Sequence, residues 1–571
     1  MTDRGADRAR LVLSLAAVAV AFAAADTYVV VLALPDMMTS VGLAIDQLQR
    51  AAPIVSGFLL GYVAILPLIG RIADLRGRVP VLIGSLLVFA LGSLVTAAAY
   101  DLPSMVTGRF LQGLGGGGLV PATLALVADL YPPQRRGVPL GAVGAVQELG
   151  SVVGPLYGAA VLALAPWQAI FAVNLLVGLV LALALRLATQ RPEPRVTAGR
   201  PDWLGGLLLL LTLVSLVLTM LQPAVLTSSV TLGLAFIPVV GASRWLTWVG
   251  IATVVLALAL LARCLTAARP LVDLRRWAAV ARRADLVGAA LLAAALAGVI
   301  LTFATADPKV SVLAPAGPWL LVAAGVFLGA FLWHARRTPE PLVPTGALTA
   351  QPAWGALAVS FFVGAALIAA LVDIPIFARV TVYPDSQLAA ALVLVRLLVA
   401  LPLGALAGGY LLRRVPAGVL TAAAMAASAA GFWWMSRWGL TSIEHPVATV
   451  PLVVTGLGFG LALAPVNAAL LAATESAVHG VTSALLVVAR MVGMLVGISA
   501  LTTLGLRRYY AVQVDLPTPA SVCPSGTQCA AYSRLLKEAG LAQLQTVFLG
   551  AAGCALVAAV LALVLFRRLP R

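Results

Sequence analysis

Apolar runs of about 20 residues recur along the whole chain, and this feature constrains the fold more than any other. A run of this length crosses the apolar core of a bilayer as one α-helix, since each residue adds about 1.5 Å. Only 10 % of the 571 residues are charged and 62 % are hydrophobic, which excludes an ordinary water-soluble domain. The sequence therefore predicts an all-α, polytopic membrane protein.

The apolar runs fall into three groups. Six open the chain, four occupy its middle and six close it; they are 10–35, 48–70, 79–100, 103–130, 138–164 and 167–187, then 203–221, 245–265, 284–306 and 318–334, then 354–378, 388–412, 419–438, 446–473, 477–514 and 531–566. We predict 16 crossing helices from these runs. The alternative is 14, if two of the four middle runs only lie at the membrane interface.

Arginine carries nearly all of the positive charge, and the net charge is +16. Seven basic clusters fall on the side of the N-terminus if every run crosses: Arg71/Arg76/Arg78, Arg135/Arg136, Arg191/Arg195/Arg200, Arg275/Arg276/Arg282/Arg283, Arg336/Arg337, Arg413/Arg414 and Arg567/Arg568. One pair, Arg507/Arg508, is an exception on the outer side. Loops rich in Lys and Arg stay in the cytoplasm. Both termini are therefore predicted to be cytoplasmic, and no nucleic-acid partner is expected.

A set of glycines repeats at one fixed offset of 343 residues. The pairs are Gly113/Gly456, Gly115/Gly458, Gly117/Gly460, Gly137/Gly480, Gly150/Gly493 and Gly154/Gly497. Internal repeats are typical of secondary transporters. We predict a six-helix half at 1–190, an inserted block of helices at 191–350 and a second six-helix half at 351–571. Within the block, segment 222–245 predicts a short extracellular hairpin.

A charged loop lies between the second and third runs and contains Gly70, Arg71, Asp74, Gly77 and Arg78. One interpretation is a basic loop that only sets the orientation in the membrane. The spacing also resembles the signature loop of the major facilitator superfamily. The resemblance implies a fold of two six-helix halves, in which this loop latches the cytoplasmic side of the outward-open state.

Two further segments resemble signatures of the same superfamily. Arg109 opens a segment similar to the fourth-helix motif, whose Arg is tied to proton coupling. Gly150, Gly154, Pro155 and Gly158 match the fifth-helix antiporter motif, in which glycines allow close helix packing and proline bends the helix. The segment 202–206, which opens the inserted block, is similar to that of the fourteen-helix drug:proton antiporters.

A narrower resemblance is to the mycobacterial triacylglyceride exporters, which are also tied to multidrug efflux. It rests on three segments, 26–31, 147–158 and 488–494. The resemblance implies proton-coupled export of lipid-like cargo across a bacterial inner membrane, with a periplasmic lipid-carrying lipoprotein as a partner. The alternative is a multidrug:proton antiporter for amphipathic cations. A transport-dead sensor is disfavoured, because the latch loop and the antiporter motif are both present.

Ionisable residues inside apolar runs are costly and are functional candidates. Helical depth places Asp26 and Arg109 together in the outer half of the membrane, and Glu148 and Arg490 at matched depth in the inner half. We predict two ion pairs that take part in proton coupling, Asp26 with Arg109 and Glu148 with Arg490. The alternative is that both pairs are structural and never titrate. Two weaker candidates are Asp373, which is predicted near the outer mouth, and Arg396, which lies mid-helix without an obvious partner.

The last two runs are long enough to project beyond the membrane on the outer side, and Cys523 and Cys529 lie in the loop between them. In an oxidising compartment this spacing predicts a disulfide, with two free thiols as the alternative. No metal-ligand cluster, nucleophile–base pair or phosphate loop occurs in the sequence. Neither enzymatic activity nor a cofactor is therefore expected, and the expected partners are protons and a membrane lipid or hydrophobic small molecule.

Overall fold

The computed structural model of the protein describes residues 3–43, 48–189, 202–268, 270–304, 313–344, 346–384, 386–523 and 529–567. Nineteen α-helices account for most of these described residues. They are α1 (Asp3–Ser40), α2 (Leu48–Arg76), α3 (Arg78–Ala97), α4 (Leu102–Leu130), α5 (Gly137–Leu164), α6 (Gln168–Thr189), α7 (Trp203–Leu221), α8 (Ala224–Thr227), α9 (Trp248–Thr266), α10 (Leu274–Arg283), α11 (Leu286–Ala304), α12 (Gly317–Arg337), α13 (Gln351–Thr381), α14 (Gln387–Leu411), α15 (Ala417–Met435), α16 (Thr449–Ala472), α17 (His479–Val514), α18 (Pro519–Val522) and α19 (Ala530–Leu565).

Sixteen of the described helices are long and apolar enough to cross a membrane. This confirms the all-α polytopic fold and the count of 16, including four span-length helices in the inserted block. The other three helices, α8, α10 and α18, are too short to cross, because a span needs about 20 residues.

The predicted hairpin at 222–245 is wrong. Its residues form α8 and two short 3-10 turns, Gly233–Phe236 and Arg244–Leu246, with a single antiparallel bridge between Pro238 and Thr247. Pro238 has no N–H to donate to a second strand, so a two-stranded ladder does not continue past the bridge.

The buried apolar side chains form two large clusters, one in each half of the chain. One cluster joins α1–α6, and the other joins α13–α17 and α19. The inserted helices pair with each other, α7 with α9 and α11 with α12, and α11 also packs against α2 and α17. The proposed division at 190 and 350 stays a prediction, and the linker 190–201 lies outside the described residues.

The repeated glycines mark the places where helices touch through their backbones. A methyl group on Gly113 of α4 would lie 2.1 Å from the Phe58 carbonyl oxygen of α2. At the equivalent position in the second half, a methyl group on Gly456 of α16 would lie 2.2 Å from the Leu397 carbonyl oxygen of α14. Any side chain at these positions would push the helices apart, so the internal repeat records equivalent helix crossings.

Two aspartates fasten the ends of inserted helices. Asp202 caps α7 by accepting a hydrogen bond of 3.0 Å from the Gly205 N–H, and it pairs with Arg263 of α9 at 3.0 Å. Hydrogen bonds from the Gly205 N–H and from Arg263 hold the pKa of the Asp202 carboxyl below its usual range. Asp285 caps α11, and its Oδ1 atom lies 2.8 Å from His334 Nε2 of α12. The cap that Asp202 forms on α7 accounts for the acidic residue at the start of the inserted block.

Candidate functional site

Asp26 of α1 and Arg109 of α4 form an ion pair inside the first half. Arg109 Nη1 donates to Asp26 Oδ2 at 2.8 Å, and each residue is only 1 % exposed. Removing one member of such a pair leaves an uncompensated buried charge. The geometry thus brings together the two residues that helical depth had placed at the same level.

Further polar groups complete the surroundings of this pair. Asn174 of α6 donates to Asp26 Oδ1, and Gln112 Oε1 accepts from Arg109 Nη1 at 2.9 Å. The Arg109 guanidinium also lies over the Phe58 ring, 4.6 Å from its centroid. Neither Asn174 nor Gln112 was predicted as a partner of this pair. A polar residue within an apolar run is the signal that would have found Asn174.

A small cavity of about 40 Å³ lies between the two halves. Its lining is mainly apolar and comes from α4, α5, α13, α16 and α17. The polar lining residues are Gln147, Ser360, Asn467 and Arg490. Arg490 is the only charged residue among the described lining, and its repeat equivalent Gln147 lines the same cavity. The cavity therefore combines an apolar wall with one cation.

The predicted ion pair between Glu148 and Arg490 is not among the ion pairs of the described residues in this conformation, so it stays a prediction. The two side chains remain close enough to attract each other electrostatically. Matched depth fixes height in the membrane but not lateral separation. Glu148 is on α5, which packs on α1, whereas Arg490 of α17 extends into the cavity.

The signature loop joins the two halves. The Asp74 carboxylate accepts hydrogen bonds from the backbone N–H groups of Gly480 and Val481, at 2.8 and 3.0 Å, at the first turn of α17. A carboxylate at a helix N-terminus is favourable, because the free N–H groups there carry partial positive charge. Arg78 pairs with Asp74 and also donates to the Ser476 carbonyl oxygen at 3.3 Å.

The remaining loop residues support this geometry. Gly77 has a φ of 98°, which a residue with a side chain rarely adopts. A methyl group on Gly70 would lie 2.5 Å from the Gly480 carbonyl oxygen, and one on Gly480 would lie 2.3 Å from the Gly70 carbonyl oxygen. Gly70 and Gly480 are therefore both needed for the close approach of α2 to α17. Arg71 is half-buried, and its Nε atom has no hydrogen-bond partner among the described residues. We call the end of the molecule that carries this loop the latch end.

The two halves meet at the latch end through a second glycine contact. A methyl group on Gly141 of α5 would lie 2.5 Å from the Ala405 carbonyl oxygen of α14. Apolar residues of the second half that join the cluster of the first half all lie within 464–495, and the cluster around Met37 and Met105 contains residues of the first half only. In the described part, the apolar packing between halves is therefore concentrated toward the latch end.

The antiporter motif packs α5 onto α1. A methyl group on Gly150 would lie 2.1 Å from the Ala21 carbonyl oxygen, and one on Gly154 would lie 2.5 Å from the Ala25 carbonyl oxygen. Gly158 faces Val29 on the same helix. Pro155 belongs to α5, but its side chain lies outside the described part of the structure. The glycines of the motif thus set how closely α5 approaches the helix that carries Asp26.

The structure also describes four other residues that the sequence singled out. Asp373 on α13 is 4 % exposed and makes no hydrogen bond or ion pair with another described residue. Arg396 Nη1 of α14 donates to Thr449 Oγ1 at 3.1 Å. Cys523 and Cys529 are joined by a disulfide, and residues 524–528 between them lie outside the described part.

Comparison with known proteins identifies the family. Residues 16–335 match the family model described as Major Facilitator Superfamily. A triacylglyceride transporter from Mycolicibacterium hassiacum is 33 % identical over 580 residues, covering 98 % of this chain and 92 % of that protein. A triacylglyceride transporter from Mycobacteroides abscessus is 34 % identical over 511 residues, covering 88 % of this chain and 83 % of that protein.

Solved structures show the same architecture. A human organic anion transporter superposes with a TM-score of 0.56 at 14 % identity, covering 97 % of this chain and 99 % of that one. A proton:xylose symporter superposes with a TM-score of 0.53 at 13 % identity, covering 97 % of this chain and 95 % of that one. At these identities the likeness concerns the fold alone.

Proposed function

The chain belongs to the major facilitator superfamily, and from this premise we propose that it is a proton-coupled exporter of lipid-like cargo of the triacylglyceride type. Members of the superfamily move cargo by rocking two halves around a central site. The relatives named triacylglyceride transporters support the cargo class. The proposed setting is a bacterial inner membrane, with the latch end and both termini in the cytoplasm.

The composition of the central cavity is the observation that carries the cargo assignment. The lining is mainly apolar, its one charged residue is Arg490, and no carboxylate belongs to its described lining. An apolar wall suits acyl chains, and a guanidinium suits ester oxygens or a carboxylate better than a cationic drug. The alternative cargo, an amphipathic cation, would need an accessible acid, whereas Asp26 is paired with Arg109 and is 1 % exposed.

The size of the cavity implies that cargo loads in another conformation. About 40 Å³ is room for a few water molecules and not for an acyl chain. Contacts at the latch end close that side in the structure. We infer that separation of α2 from α17 and of α5 from α14 opens the cavity to cargo from the cytoplasmic side.

Proton coupling needs a group that is charged in one state and neutral in another. The Asp26 carboxylate accepts hydrogen bonds from Arg109 and from the Asn174 amide, so it is the proposed coupling group. Movement of Arg109 away from Asp26 would favour protonation of the carboxyl, because an unpaired charge in the membrane is costly. Glu148 and Arg490, which form no ion pair in this conformation, would pair in another one and control closure on the inner side.

The projecting ends of α17 and α19 are proposed as the exit for cargo and the contact for a periplasmic lipid-carrying lipoprotein. Each helix has 36 residues and is about 54 Å long, well beyond the apolar core of about 30 Å. The disulfide between Cys523 and Cys529 ties the loop that connects them. A pair of long helices outside the membrane offers a path along which a lipid avoids water.

Transport in proteoliposomes tests the proposal. A fluorescent triacylglyceride and a fluorescent amphipathic cation are loaded in parallel, and a pH gradient is imposed. We expect gradient-dependent transfer of the triacylglyceride only, and its loss in Asp26→Asn. The matched control is Asp7→Asn, since Asp7 lies on the exposed start of α1. Transfer of the cation alone would favour the antiporter alternative, and transfer independent of the gradient would refute proton coupling.

A further inference from the structure

Helix α10 is a ten-residue helix that the proposed transport cycle does not use. It lies between the membrane-crossing helices α9 and α11, at the end of the molecule that carries the latch. Its Trp277 ring centroid lies 5.2 Å from the Arg76 guanidinium at the end of α2, and a methyl group on Gly84 of α3 would lie 3.5 Å from the Trp277 ring. Because both neighbours cross the membrane, α10 lies at the level of the lipid headgroups.

The two faces of α10 differ in chemistry. Trp277 and Val280 pack against the apolar cluster of the first half. Outside this apolar face four arginines are exposed, and together they form the cationic face: Arg275, Arg276, Arg282 and Arg283. Arg275 Nη2 also donates to the Ala267 carbonyl oxygen at 2.6 Å. The apolar face is occupied by the protein itself, so it does not anchor the helix in the bilayer, and the cationic face is left toward the surroundings.

Positive charge accumulates around Arg76. Arg276 is near enough to Arg76 to repel it, and the Arg76 Nε atom is buried without a hydrogen-bond partner among the described residues. Asp273 is the nearby acid, and its Oδ1 atom already accepts the Arg276 backbone N–H at 3.0 Å. An anion between the two guanidiniums would relieve the repulsion and supply the missing acceptor.

We propose that Arg76, Arg276 and the cationic face of α10 bind the phosphate headgroup of an anionic phospholipid in the adjoining leaflet. Phosphate is the anion found at headgroup level, and clusters of four or more basic residues on such a helix attract anionic lipid. Arg76 stands two residues after Asp74, so a bound lipid would contact the end of α2 beside the latch. The proposal is independent of the cargo.

Native mass spectrometry of the full-length protein in detergent tests the site. Phosphatidylglycerol and phosphatidylcholine are titrated separately, and lipid adducts are counted on the wild type and on Arg76→Gln/Arg276→Gln. Each basic residue near an anionic surface contributes roughly fivefold to binding, so we expect about a 25-fold loss of phosphatidylglycerol affinity in the double variant. Phosphatidylcholine adducts should not change.

Three controls make the result decisive. Arg413→Gln/Arg414→Gln removes two exposed guanidiniums elsewhere and should keep wild-type phosphatidylglycerol binding. Arg76→Lys/Arg276→Lys keeps the charge and should retain binding even if the Gln variant unfolds. Inorganic phosphate at millimolar concentration should not displace the lipid. Equal phosphatidylglycerol binding by the wild type and the Gln variant, or displacement by free phosphate, would overturn the proposal.

Discussion

Arg109 shows how a single charged residue is accommodated in the interior of a membrane protein. It is 1 % exposed, yet the Asp26 carboxylate, the Gln112 amide oxygen and the Ile54 carbonyl oxygen all accept from it. A buried ion pair is strongly destabilised by loss of one member, because the other charge remains without compensation. Stability and the proposed proton coupling therefore depend on the same two residues.

A double-mutant cycle on Asp26 and Arg109 measures that link. We expect Asp26→Asn to lower the free energy of unfolding by about 3–5 kcal/mol, because Arg109 is left as a buried cation. The double variant Asp26→Asn/Arg109→Gln should lose less than the sum of the two single losses. Unfolding in one detergent at matched concentration provides the values. Strictly additive losses would show that the two residues do not act as a pair.

Asp74 is a second single residue with a large expected effect, because its carboxylate joins the two halves at the latch end. Asp74→Asn keeps the shape of the side chain but removes the negative charge of the carboxylate. The two oxygens of that carboxylate accept from the Gly480 and Val481 N–H groups. Hydrogen bonds to a charged group are worth about 1.5–3 kcal/mol, so the closed latch should lose a large part of its population.

Electron–electron distances between spin labels on Gln134 and Glu475, both exposed at the latch end, report the change. We expect a new population at longer distance in Asp74→Asn. Asp36→Asn, an exposed position on α1, should leave the wild-type distribution. An unchanged distribution in Asp74→Asn would mean that the Asp74 contacts do not hold the latch end closed.

At the scale of helices, close backbone contact at glycines sets both the packing within each half and the seal between halves. Gly113 and Gly456 fix equivalent crossings inside the two halves, whereas Gly70 and Gly141 fix the contacts that join them. Small residues at helix crossings are common in membranes, since packing rather than water exclusion drives association there.

A branched side chain at Gly141 should therefore favour the conformation that is open at the latch end. We expect Gly141→Val to increase the labelling rate of Asn467→Cys in the cavity by a membrane-impermeant maleimide in inside-out vesicles. Cys264 and Cys554 are replaced by Ala beforehand. Gly325→Val is the matched control, since nothing lies within 4 Å of a methyl group there. Equal labelling of the two valine variants would contradict the glycine seal.

At the scale of the whole molecule, the inserted block distinguishes this chain from a plain arrangement of two six-helix halves. Four span-length helices lie between the halves, and α11 packs on both α2 and α17. The block is therefore in contact with one of the two places where the halves meet, whereas α5 and α14 meet without it in the described contacts.

The 16 span-length helices predict on which side of the membrane each connecting segment lies. The segment with Ser228 and the helix with Ala279 should lie on opposite sides of the membrane, because only α9 crosses between them. We expect an impermeant thiol reagent to label Ser228→Cys in intact spheroplasts and Ala279→Cys only after permeabilisation. Both positions are tested without Cys264 and Cys554. Labelling of Ala279→Cys before permeabilisation would refute the arrangement.

Much of this architecture follows from the sequence alone. Apolar runs predict helices in a membrane because every backbone N–H and C=O must be satisfied without water. The fixed offset between Gly113 and Gly456 predicted two similar halves, and helical depth placed Asp26 level with Arg109. These are properties of period, length and composition, which do not depend on how the helices are arranged laterally.

Lateral arrangement was decided only by the tertiary structure. Depth along a helix does not specify rotation or neighbours, so Glu148 and Arg490 were predicted as a pair although Arg490 extends into the cavity. For the same reason the partners of Asp26 included an unforeseen Asn174, which comes from α6. The segment 222–245 has an amino-acid composition typical of strands, but the single bridge between Pro238 and Thr247 does not make a hairpin. Side-chain partners depend on the packing of distant helices, which a single sequence does not encode locally.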